Sequence, residues 1–373
     1  MLIYIIQIVL IFLLWPMHKI TVTMHKKRVQ GEKIYLFFIF LMLGATMSLR
    51  GVMIGSDTQV YRWIYQVIMK SDNISTALKN STVNSAPIYV LFQYLISRLT
   101  DVEQWSIVGN SIVIAFGFYW FIRKNSEHYM FSCYLFIALS LFFESMNGSR
   151  QFMAISLALC AYTFLKENIK SVKGWGLFLL AAGIHNTIIA FALVFLTKIV
   201  RKDSLVKTVV GSISVALAVA VCIKALVEVA VNIFPYFSIY LNGDNAAQIF
   251  DDTGNGRIIL LYSFLLMVLL VSILILNYQK KIVDKLVCYD LFAGVFCVIM
   301  GIAFSKNVLL LRIIWPFMSV LIVLLPNLFA KVDGKTRKIL YTGTTVVLAV
   351  YCIWFLVEDK SGIVPYVPFW KNM

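Results

Sequence analysis

Long apolar runs separated by short polar stretches make up most of this sequence. A bilayer-spanning helix needs roughly 20 predominantly apolar residues, so runs that approach this length predict spanning helices. These runs lie at 2–17, 33–50, 105–122, 129–145, 150–165, 207–225, 257–277, 286–304, 308–326 and 339–357. The pattern therefore predicts an all-α polytopic integral membrane protein with about ten full transmembrane helices.

Two further apolar segments do not fit a simple crossing. Residues 86–99 (APIYVLFQYLISRL) are too few to cross a bilayer, and they predict an interfacial or re-entrant helix. Residues 174–198 are long enough for one span, but polar residues interrupt them at Gly183–Asn186. This second segment is either a single span or a re-entrant hairpin of two half-length helices with His185 at its tip.

The composition agrees with a single multi-pass membrane domain over residues 1–373. Hydrophobic residues make up 61% of the chain and charged residues 14%, which is more apolar surface than a soluble protein of this length buries. The first segment lacks a basic start and a small-residue cleavage site, so we expect a retained helix and not a signal peptide. Six scattered cysteines without a CxxC pair indicate neither a disulfide framework nor a metal site.

The basic residues set the expected orientation. Cytoplasmic Lys and Arg residues explain the net charge of +15 in a membrane protein, so this charge indicates no nucleic-acid partner. The strongly basic loop 18–33 is expected inside, which puts the N-terminus outside. A hairpin at 174–198 keeps the basic loop 197–207 inside and places loops 51–104 and 226–256 outside. We therefore favour the hairpin, with both termini outside.

This orientation separates arginine from lysine. Of the 23 lysines 17 fall inside, whereas six of the ten arginines fall outside. Topology signals do not distinguish the two residues, but guanidinium offers planar, bidentate recognition of phosphate and carboxylate. We therefore expect the outer face to bind an anion at the depth of the lipid headgroups. The outer arginines are Arg50, Arg62, Arg98, Arg150, Arg257 and Arg312.

A turn with a carboxylate follows the second helix. Gly55, Ser56 and Asp57 form this turn, and Tyr61 and Arg62 come soon after it. Aromatic rings near a carboxylate suit sugar binding, because the rings stack on C–H faces while the acid accepts hydroxyl protons. The alternative is that Asp57 caps the N-terminus of an interfacial helix.

Two other segments put polar groups where lipid-facing residues are expected. Arg150 and Gln151 open an otherwise apolar helix, and an arginine costs about 2.5–3.5 kcal/mol at the membrane centre and less near an end. Arg150 either meets an anionic ligand or extends to the headgroups, or it pairs with Glu144. His185 is either a satisfied core residue or a proton acceptor facing an outer cavity.

Late in the chain, Arg257 opens a helix after the acidic loop 226–256, and Arg312 lies about one turn inside the outer boundary. The sequence holds no HExxH, no nucleotide-binding loop, no GxSxG and no acidic cluster suited to a divalent metal. We therefore expect neither a metal nor another cofactor.

Four motifs in order resemble one family. The segments GSDTQVYRWIY (55–65), SRQFMAISLALCAYTFL (149–165), AAGIHNTIIAF (181–191) and RIIWPF (312–317) resemble motifs of the EpsG-type polysaccharide polymerases, which are relatives of the Wzy O-antigen and capsule polymerases. This chain departs from the family pattern at Ile184, Thr58 and Gln59, where the family more often has aromatic residues or proline.

The resemblance implies a metal-independent membrane glycosyltransferase in the bacterial cytoplasmic membrane, with its active site facing outside. It would join oligosaccharide repeat units carried on undecaprenyl diphosphate, which serves as both donor and acceptor, into a surface polysaccharide. Membrane lipids, a flippase and a chain-length regulator would be further partners. The alternatives are a ligase that uses the same carrier, a flippase or other transporter, and a membrane acyltransferase.

Under this hypothesis the site residues have distinct roles. Arg150, Arg257 and Arg312 hold the diphosphate, and Asp57 or His185 accepts the proton of the acceptor hydroxyl. The side chains expected to orient the sugar are Gln151, Tyr61 and Arg62.

Overall fold

A computed structural model describes residues 1–16, 25–81, 86–200, 205–233, 256–281 and 284–371 of the chain. The described residues form helices joined by turns, and their one β-type pairing is an isolated bridge between Arg50 and Pro368. The prediction of an all-helical protein is confirmed for this part of the chain.

Sixteen α-helices and two 3₁₀ helices follow one another along the described residues. The α-helices are α1 Leu2–Leu14, α2 His25–Ser48, α3 Thr58–Met69, α4 Ile74–Asn80, α5 Pro87–Ser97, α6 Gln104–Asn125, α7 Tyr129–Ala138, α8 Leu141–Asn147, α9 Ser149–Glu167, α10 Val172–Ile184, α11 Thr197–Val200, α12 Leu205–Ile233, α13 Gly256–Tyr278, α14 Lys285–Ala303, α15 Val308–Lys331 and α16 Gly334–Glu358. The 3₁₀ helices are Asn186–Leu196 and Phe369–Lys371.

Seven of the described helices are long and apolar enough to cross a membrane, or eight if the bent pair α7 and α8 counts as one span. These eight correspond to eight of the predicted spans. The predicted span 2–17 is instead a helix of 13 residues. The predicted span 150–165 is a helix of 19 residues, but Arg150 and Gln151 interrupt the apolarity of its first turn. The protein is therefore a multi-pass membrane protein.

The segment 174–198 is divided as the hairpin hypothesis predicts. Helix α10 ends at Ile184, His185 has an extended backbone, and a 3₁₀ helix starts at Asn186. Two short helices thus meet within Gly183–Asn186 in place of one continuous helix. The return of the chain to the same side of the membrane stays a prediction.

The break between α7 and α8 turns the chain by 52°. Ser140 lies at this break with a φ of 64°, in the left-handed region that favours glycine. A backbone of this kind is strained in a residue with a side chain, so the surrounding packing must hold it. The bend sets the direction of the buried helix α8, and the last residue of this helix, Asn147, lies at the candidate site described below.

The contacts divide the described chain into two compact units. The first unit comprises Met1–Ile189 and Thr345–Met373, and the second comprises Ala190–Thr344. In the first unit, α9 packs against α6 and α10, and α6 packs against α2. The backbones approach closely, since a Cβ added at Gly117 would lie 2.6 Å from the Cβ of Ser156.

In the second unit, α14 packs against α12, α13 and α15. Close packing depends on glycine here as well, because a Cβ at Gly301 would lie 2.5 Å from the ring of Tyr262. The side chain of Asn307 caps α15 by accepting a hydrogen bond from the backbone of Leu310 at 3.0 Å. The expectation of one membrane domain over residues 1–373 stays a prediction.

Residues 359–371, which we call the C-terminal strap, lie along the segment that follows α2. The backbone N–H of Gly51 donates to Val367 at 2.8 Å, and that of Phe369 donates to Leu49 at 2.9 Å. The hydroxyl of Tyr4 in α1 donates to the carbonyl of Ile363 at 2.9 Å. The start of the chain, the turn after α2 and the strap therefore meet at one end of the first unit.

Candidate functional site

The residues around the start of α9 reach several different parts of the first unit. Asn147 contacts the turn before α3, Ser149 contacts α6, Arg150 lies over a ring of α5, and Gln151 contacts the 3₁₀ helix. Four residues of one short segment thus contact four different elements. This segment is the centre of the candidate site.

The turn that carries Asp57 is fixed by Asn147. The Oδ1 atom of Asn147 accepts a hydrogen bond from the hydroxyl of Ser56 at 2.9 Å and from the backbone N–H of Asp57 at 3.0 Å. Asp57 occupies the N-cap position of α3, as the alternative interpretation predicts, but its side chain makes no capping hydrogen bond to that helix. Asp57 is half-buried.

Gly55 holds this turn between the end of α8 and the strap. Its φ is +88°, and a Cβ at this position would lie 2.7 Å from the carbonyl oxygen of Met146. Its N–H donates to the carbonyl of Gly362 in the strap at 2.8 Å. Only glycine fits this backbone conformation and this space.

Ser149 belongs to a buried network of hydrogen-bonded amide and hydroxyl groups. Asn110 donates to the hydroxyls of Ser149 and Tyr89 at 3.4 Å each, and it accepts a hydrogen bond from Gln93 at 2.8 Å. All four side chains are almost fully buried. Hydrogen-bonded polar groups of this kind fix the positions of α5, α6 and α9 relative to one another.

Arg150 lies over the ring of Tyr89, with 5.9 Å between its guanidinium carbon and the ring centroid. Its Nε is buried and has no hydrogen-bond partner among the residues that the structure describes. The ring of Tyr61 lies edge-on to the ring of Tyr89, with 6.4 Å between the two ring centroids. Burial raises the pKa of Tyr89, while the hydrogen bond from Asn110 and the charge of Arg150 lower it.

Gln151 and His185 are connected through one hydroxyl. The amide Nε2 of Gln151 donates to the Oγ1 of Thr187 at 3.3 Å, and this Oγ1 lies 2.8 Å from the Nδ1 of His185. The hydroxyl oxygen has two lone pairs, so it can accept from both neighbours. In that arrangement Nδ1 of His185 carries the proton, and Nε2 is the nitrogen able to accept another.

Arg50 is one of the six outer arginines, but its sequence position alone did not indicate a role in the site. Its side chain is 1% exposed, and its Nη1 donates to the carbonyl of Met47 and to the hydroxyl of Ser111. Burial lowers the pKa of Arg50 to about 10, so the guanidinium stays charged near pH 7. The signal in the sequence was its place as the last residue of the predicted span 33–50.

Arg62 has a defined partner at the surface. Its Nε forms an ion pair with Glu103, which also accepts a hydrogen bond from Gln66. The side chain of Arg62 is 45% exposed. The pair joins α3 to the start of α6, which gives Arg62 a structural contact in addition to its predicted role in substrate binding.

The remaining predicted residues lie in the second unit. Arg257 is buried in the first turn of α13, and the guanidinium of Arg312 in α15 lies 5.7 Å from the ring centroid of Trp315. The acidic residues Asp251 and Asp252 of the predicted outer loop lie outside the described residues. The first unit therefore groups Asp57, Tyr61, Arg150, Gln151 and His185 around α9, and the second unit carries Arg257 and Arg312.

This arrangement can bind an anion and accept a proton. Arg150 supplies positive charge beside the ring of Tyr89, the charge of Arg50 also lowers the pKa of this tyrosine, and the half-buried Asp57 and His185 supply two candidate bases. No group of three or more His, Cys, Asp or Glu side chains that could hold a metal ion occurs within the described ranges. Metal independence stays a prediction.

Comparison with known proteins gives one match. The EpsG family model matches residues 33–367. This range includes the turn at Asp57, the start of α9, His185 and Arg312. No curated protein and no solved structure matches the chain.

Proposed function

The chain belongs to the EpsG family, and from this premise we propose that it polymerises oligosaccharide repeat units carried on undecaprenyl diphosphate. Membership of this family indicates the role of a polysaccharide polymerase with glycosyltransferase-like chemistry. The lipid carrier, the outer-face location and the metal-independent mechanism are our proposals. The product would be a bacterial surface polysaccharide.

The observation that carries the proposal is the position of Arg150. Its guanidinium lies against Tyr89, and its buried Nε has no hydrogen-bond partner among the described side chains and backbone. A diphosphate supplies several negative oxygens to such a group, and guanidinium binds phosphate in bidentate fashion. The amide of Gln151 and the half-buried ring of Tyr61 are next to this position and suit the hydroxyls and C–H faces of a sugar.

The proposed reaction is a displacement at the glycosidic carbon of the donor. The hydroxyl oxygen of the acceptor sugar forms a bond to this carbon, while the bond from the carbon to the phosphate oxygen breaks. The leaving lipid diphosphate takes the electron pair, and Arg150 stabilises the developing negative charge. Arg257 and Arg312 stay predicted ligands of the same anion.

The acceptor hydroxyl loses its proton to Asp57 or to His185. Asn147 and the strap accept hydrogen bonds from the backbone of the turn before α3, and these bonds hold the backbone that carries the Asp57 carboxylate. Thr187 contacts Nδ1 of His185, and in the tautomer with the proton on Nδ1 the accepting atom is Nε2. Separate substitution of Asp57 by Asn and His185 by Gln would identify the base, because loss of the base leaves substrate binding in place and removes turnover.

We propose that this site faces outside, in the bacterial cytoplasmic membrane. The support is the distribution of arginine and lysine, together with the contact of Tyr4 with the strap and the contacts of the strap with the turn after α2. These contacts agree with both termini lying on the face that carries the site. A flippase and a chain-length regulator would act with the protein. Labelling of cysteines introduced at positions 56 and 362 from outside the cell tests this orientation.

Gene deletion followed by sizing of the lipid-linked glycans tests the function. A polymerase deletion accumulates single repeat units on the lipid carrier at the outer face. Accumulation of full-length unattached polymer would point to a ligase instead, and retention of repeat units at the cytoplasmic face would point to a flippase. Normal polymer in the deletion strain would exclude all three roles.

Alanine substitutions of two arginines, Arg150 and Arg123, provide a matched comparison of polymer formation. Arg150→Ala should abolish polymer without changing the amount of protein in the membrane. Arg123 also lies over a tyrosine ring, with 6.0 Å between its guanidinium carbon and the centroid of Tyr119. It is exposed, however, and lies in the last turn of α6. Arg123→Ala should leave polymer length unchanged, and full-length polymer in the Arg150 variant would contradict the proposed role.

A further inference from the structure

Arg50 is a buried cation whose hydrogen-bonding capacity is mostly unused. Its Nε and Nη2 have no hydrogen-bond partner within the described part of the chain, and only Nη1 donates, to Met47 and Ser111. Both acceptors are neutral oxygens. Guanidinium carries five N–H donors in a planar fork, so one edge of this fork is left without an acceptor.

A buried charge of this kind destabilises a fold unless an opposite charge or further hydrogen bonds compensate it. Besides Met47 and Ser111, the described groups that act on the pKa of Arg50 are the phenols of Tyr366, Tyr4, Tyr61 and Tyr89. These groups are neutral near pH 7 and stabilise a cation only weakly. Methionine would fill the same volume without this penalty, so packing alone does not account for an arginine here.

Tyr89 links Arg50 to the start of α9. Arg150 lies over the ring of Tyr89. Arg50 donates to Ser111 of α6, and the preceding residue Asn110 donates to the hydroxyls of Tyr89 and Ser149. Both arginines also have a buried Nε without a hydrogen-bond partner in the described ranges. Two guanidinium groups with open donors are therefore connected to Tyr89, one directly and one through α6.

We propose that Arg50 and Arg150 together form one buried subsite for a diphosphate anion. This inference rests on the proposed function and deepens it, because it assigns Arg50 as a substrate-binding residue for the donor's leaving group. The open Nε and Nη2 edge of Arg50 donates to phosphate oxygens, and Arg150 binds the same anion from the side of α9. The anion supplies the acceptors that the fold does not.

Entry of the anion involves the side chain of Tyr61. Arg50 itself is closed off, but Tyr61 is half-buried and lies edge-on to Tyr89. It is thus the neighbour of Arg50 on α3 that reaches the surface.

Binding of farnesyl diphosphate, a short soluble polyprenyl diphosphate, tests the subsite. The full-length protein is purified in detergent, and its affinity for this probe is measured by calorimetry at low salt. Farnesol, which lacks phosphate, and inorganic pyrophosphate, which lacks the lipid, are titrated in parallel. The variants are Arg50→Met, Arg50→Lys and, as a control on a distant arginine, Arg123→Met.

The expected result is at least tenfold weaker binding of farnesyl diphosphate to Arg50→Met, with a probe-free melting temperature equal to or above that of the parent protein. Arg50→Lys keeps the positive charge but lacks the planar guanidinium, so its affinity for farnesyl diphosphate should lie between those of Arg50→Met and the parent protein. Arg123→Met should bind farnesyl diphosphate as tightly as the parent protein. Binding of pyrophosphate that also depends on Arg50 would show that the anion alone is recognised. Dependence that is seen only with the farnesyl chain would assign the subsite to the lipid-linked anion.

The opposite pattern overturns the proposal. A purely structural Arg50 predicts a lower probe-free melting temperature for Arg50→Met with undiminished affinity for farnesyl diphosphate. If Arg50→Met does not fold, undiminished affinity in Arg50→Lys overturns the proposal equally, as does parent protein that binds farnesol as tightly as farnesyl diphosphate.

The binding result and the cellular result separate the two proposals. Loss of farnesyl diphosphate binding in Arg50→Met, together with normal polymer in the gene deletion strain, leaves the subsite standing and removes the polymerase. Normal binding in that variant, together with accumulated single repeat units in the deletion strain, removes the subsite and leaves the polymerase.

Discussion

The Oδ1 of Asn147 accepts the backbone N–H of Asp57 at 3.0 Å, across 90 positions of the chain. Asp57 is the residue before the first turn of α3, so a side chain at the end of α8 satisfies a backbone donor at the start of another helix. The hydrogen bond fixes the backbone of Asp57 relative to the segment that carries Arg150, which follows Asn147 by three residues. Under the proposed function, stability and activity are therefore linked at this contact.

We predict that Asn147→Ala destabilises the protein by about 1 kcal/mol, the usual cost of a lost helix cap, and reduces polymer formation strongly. The matched control is Asn73, whose Oδ1 caps α4 by accepting from Thr76 at 2.9 Å. Asn73→Ala should cost a similar amount of stability and leave the polymer unchanged. Thermal unfolding in detergent and gel sizing of polymer from complemented cells measure the two effects. Equal polymer from both variants would count against a positioning role for Asn147.

A second prediction concerns the backbone of the same turn. Gly55→Ala adds a Cβ at a φ of +88° and brings it within 2.7 Å of the carbonyl oxygen of Met146. We expect a loss of about 1–3 kcal/mol for the strained backbone alone, together with loss of polymer, because the turn must move away from Asn147.

Gly176→Ala is the control for Gly55→Ala. It places a methyl group on α10 of the same unit, where a Cβ meets nothing within 4 Å. Alanine is favoured over glycine within a helix, so this variant should be as stable as the parent protein or slightly more stable. If Gly55→Ala melted with the parent protein and made full-length polymer, the described packing of the turn would be wrong.

The helical framework was predictable from the sequence because apolar runs of sufficient length have few alternatives in a membrane. The helix break at His185 was also predictable, since Gly183 and the polar Asn186 and Thr187 interrupt an apolar run. The break at Ser140 was not, because the residue that adopts the left-handed backbone there is a serine and not a glycine. Helix packing, and not local preference, determines that bend.

The site shows the same division. Asp57, Arg150 and Gln151 stand out in the sequence as polar residues beside apolar runs, and each could be named from its own position. The roles of Tyr89, Asn110 and Asn147 depend on partners far along the chain, so that no local pattern reports them. Arg50 was visible as an outer arginine, but its complete burial is a result of tertiary packing, in which Ser111 of α6 accepts one of its hydrogen bonds.

A third prediction follows from the hydroxyl between Gln151 and His185. Thr187→Val keeps the shape of the side chain and removes the atom that contacts both neighbours at 3.3 and 2.8 Å. The buried amide of Gln151 then loses this acceptor, which costs about 1–3 kcal/mol. Turnover should fall further than this loss of stability explains, since the imidazole of His185 is no longer held in one orientation.

Thr187→Ser retains the hydroxyl and is the matched control. We expect it to restore most of the polymer lost in Thr187→Val, as measured by the chain-length distribution at equal amounts of membrane protein. Comparable polymer in both variants would mean that this contact does not orient a catalytic group, and Asp57 would then be the stronger candidate for the base.

The last prediction separates the two possible roles of Arg62. If the side chain serves mainly to pair with Glu103, then Arg62→Gln and Glu103→Gln remove the same interaction and should have the same small effect. An exposed ion pair of this kind contributes about 0–1 kcal/mol, so each variant should make polymer within about twofold of the parent protein. The double variant should be no worse than either single variant, because the interaction is lost only once.

If Arg62 instead binds the substrate anion, Arg62→Gln alone loses polymer, while Glu103→Gln, which frees the guanidinium, retains or increases it. Polymer yield and the affinity for farnesyl diphosphate in the three variants decide between these outcomes.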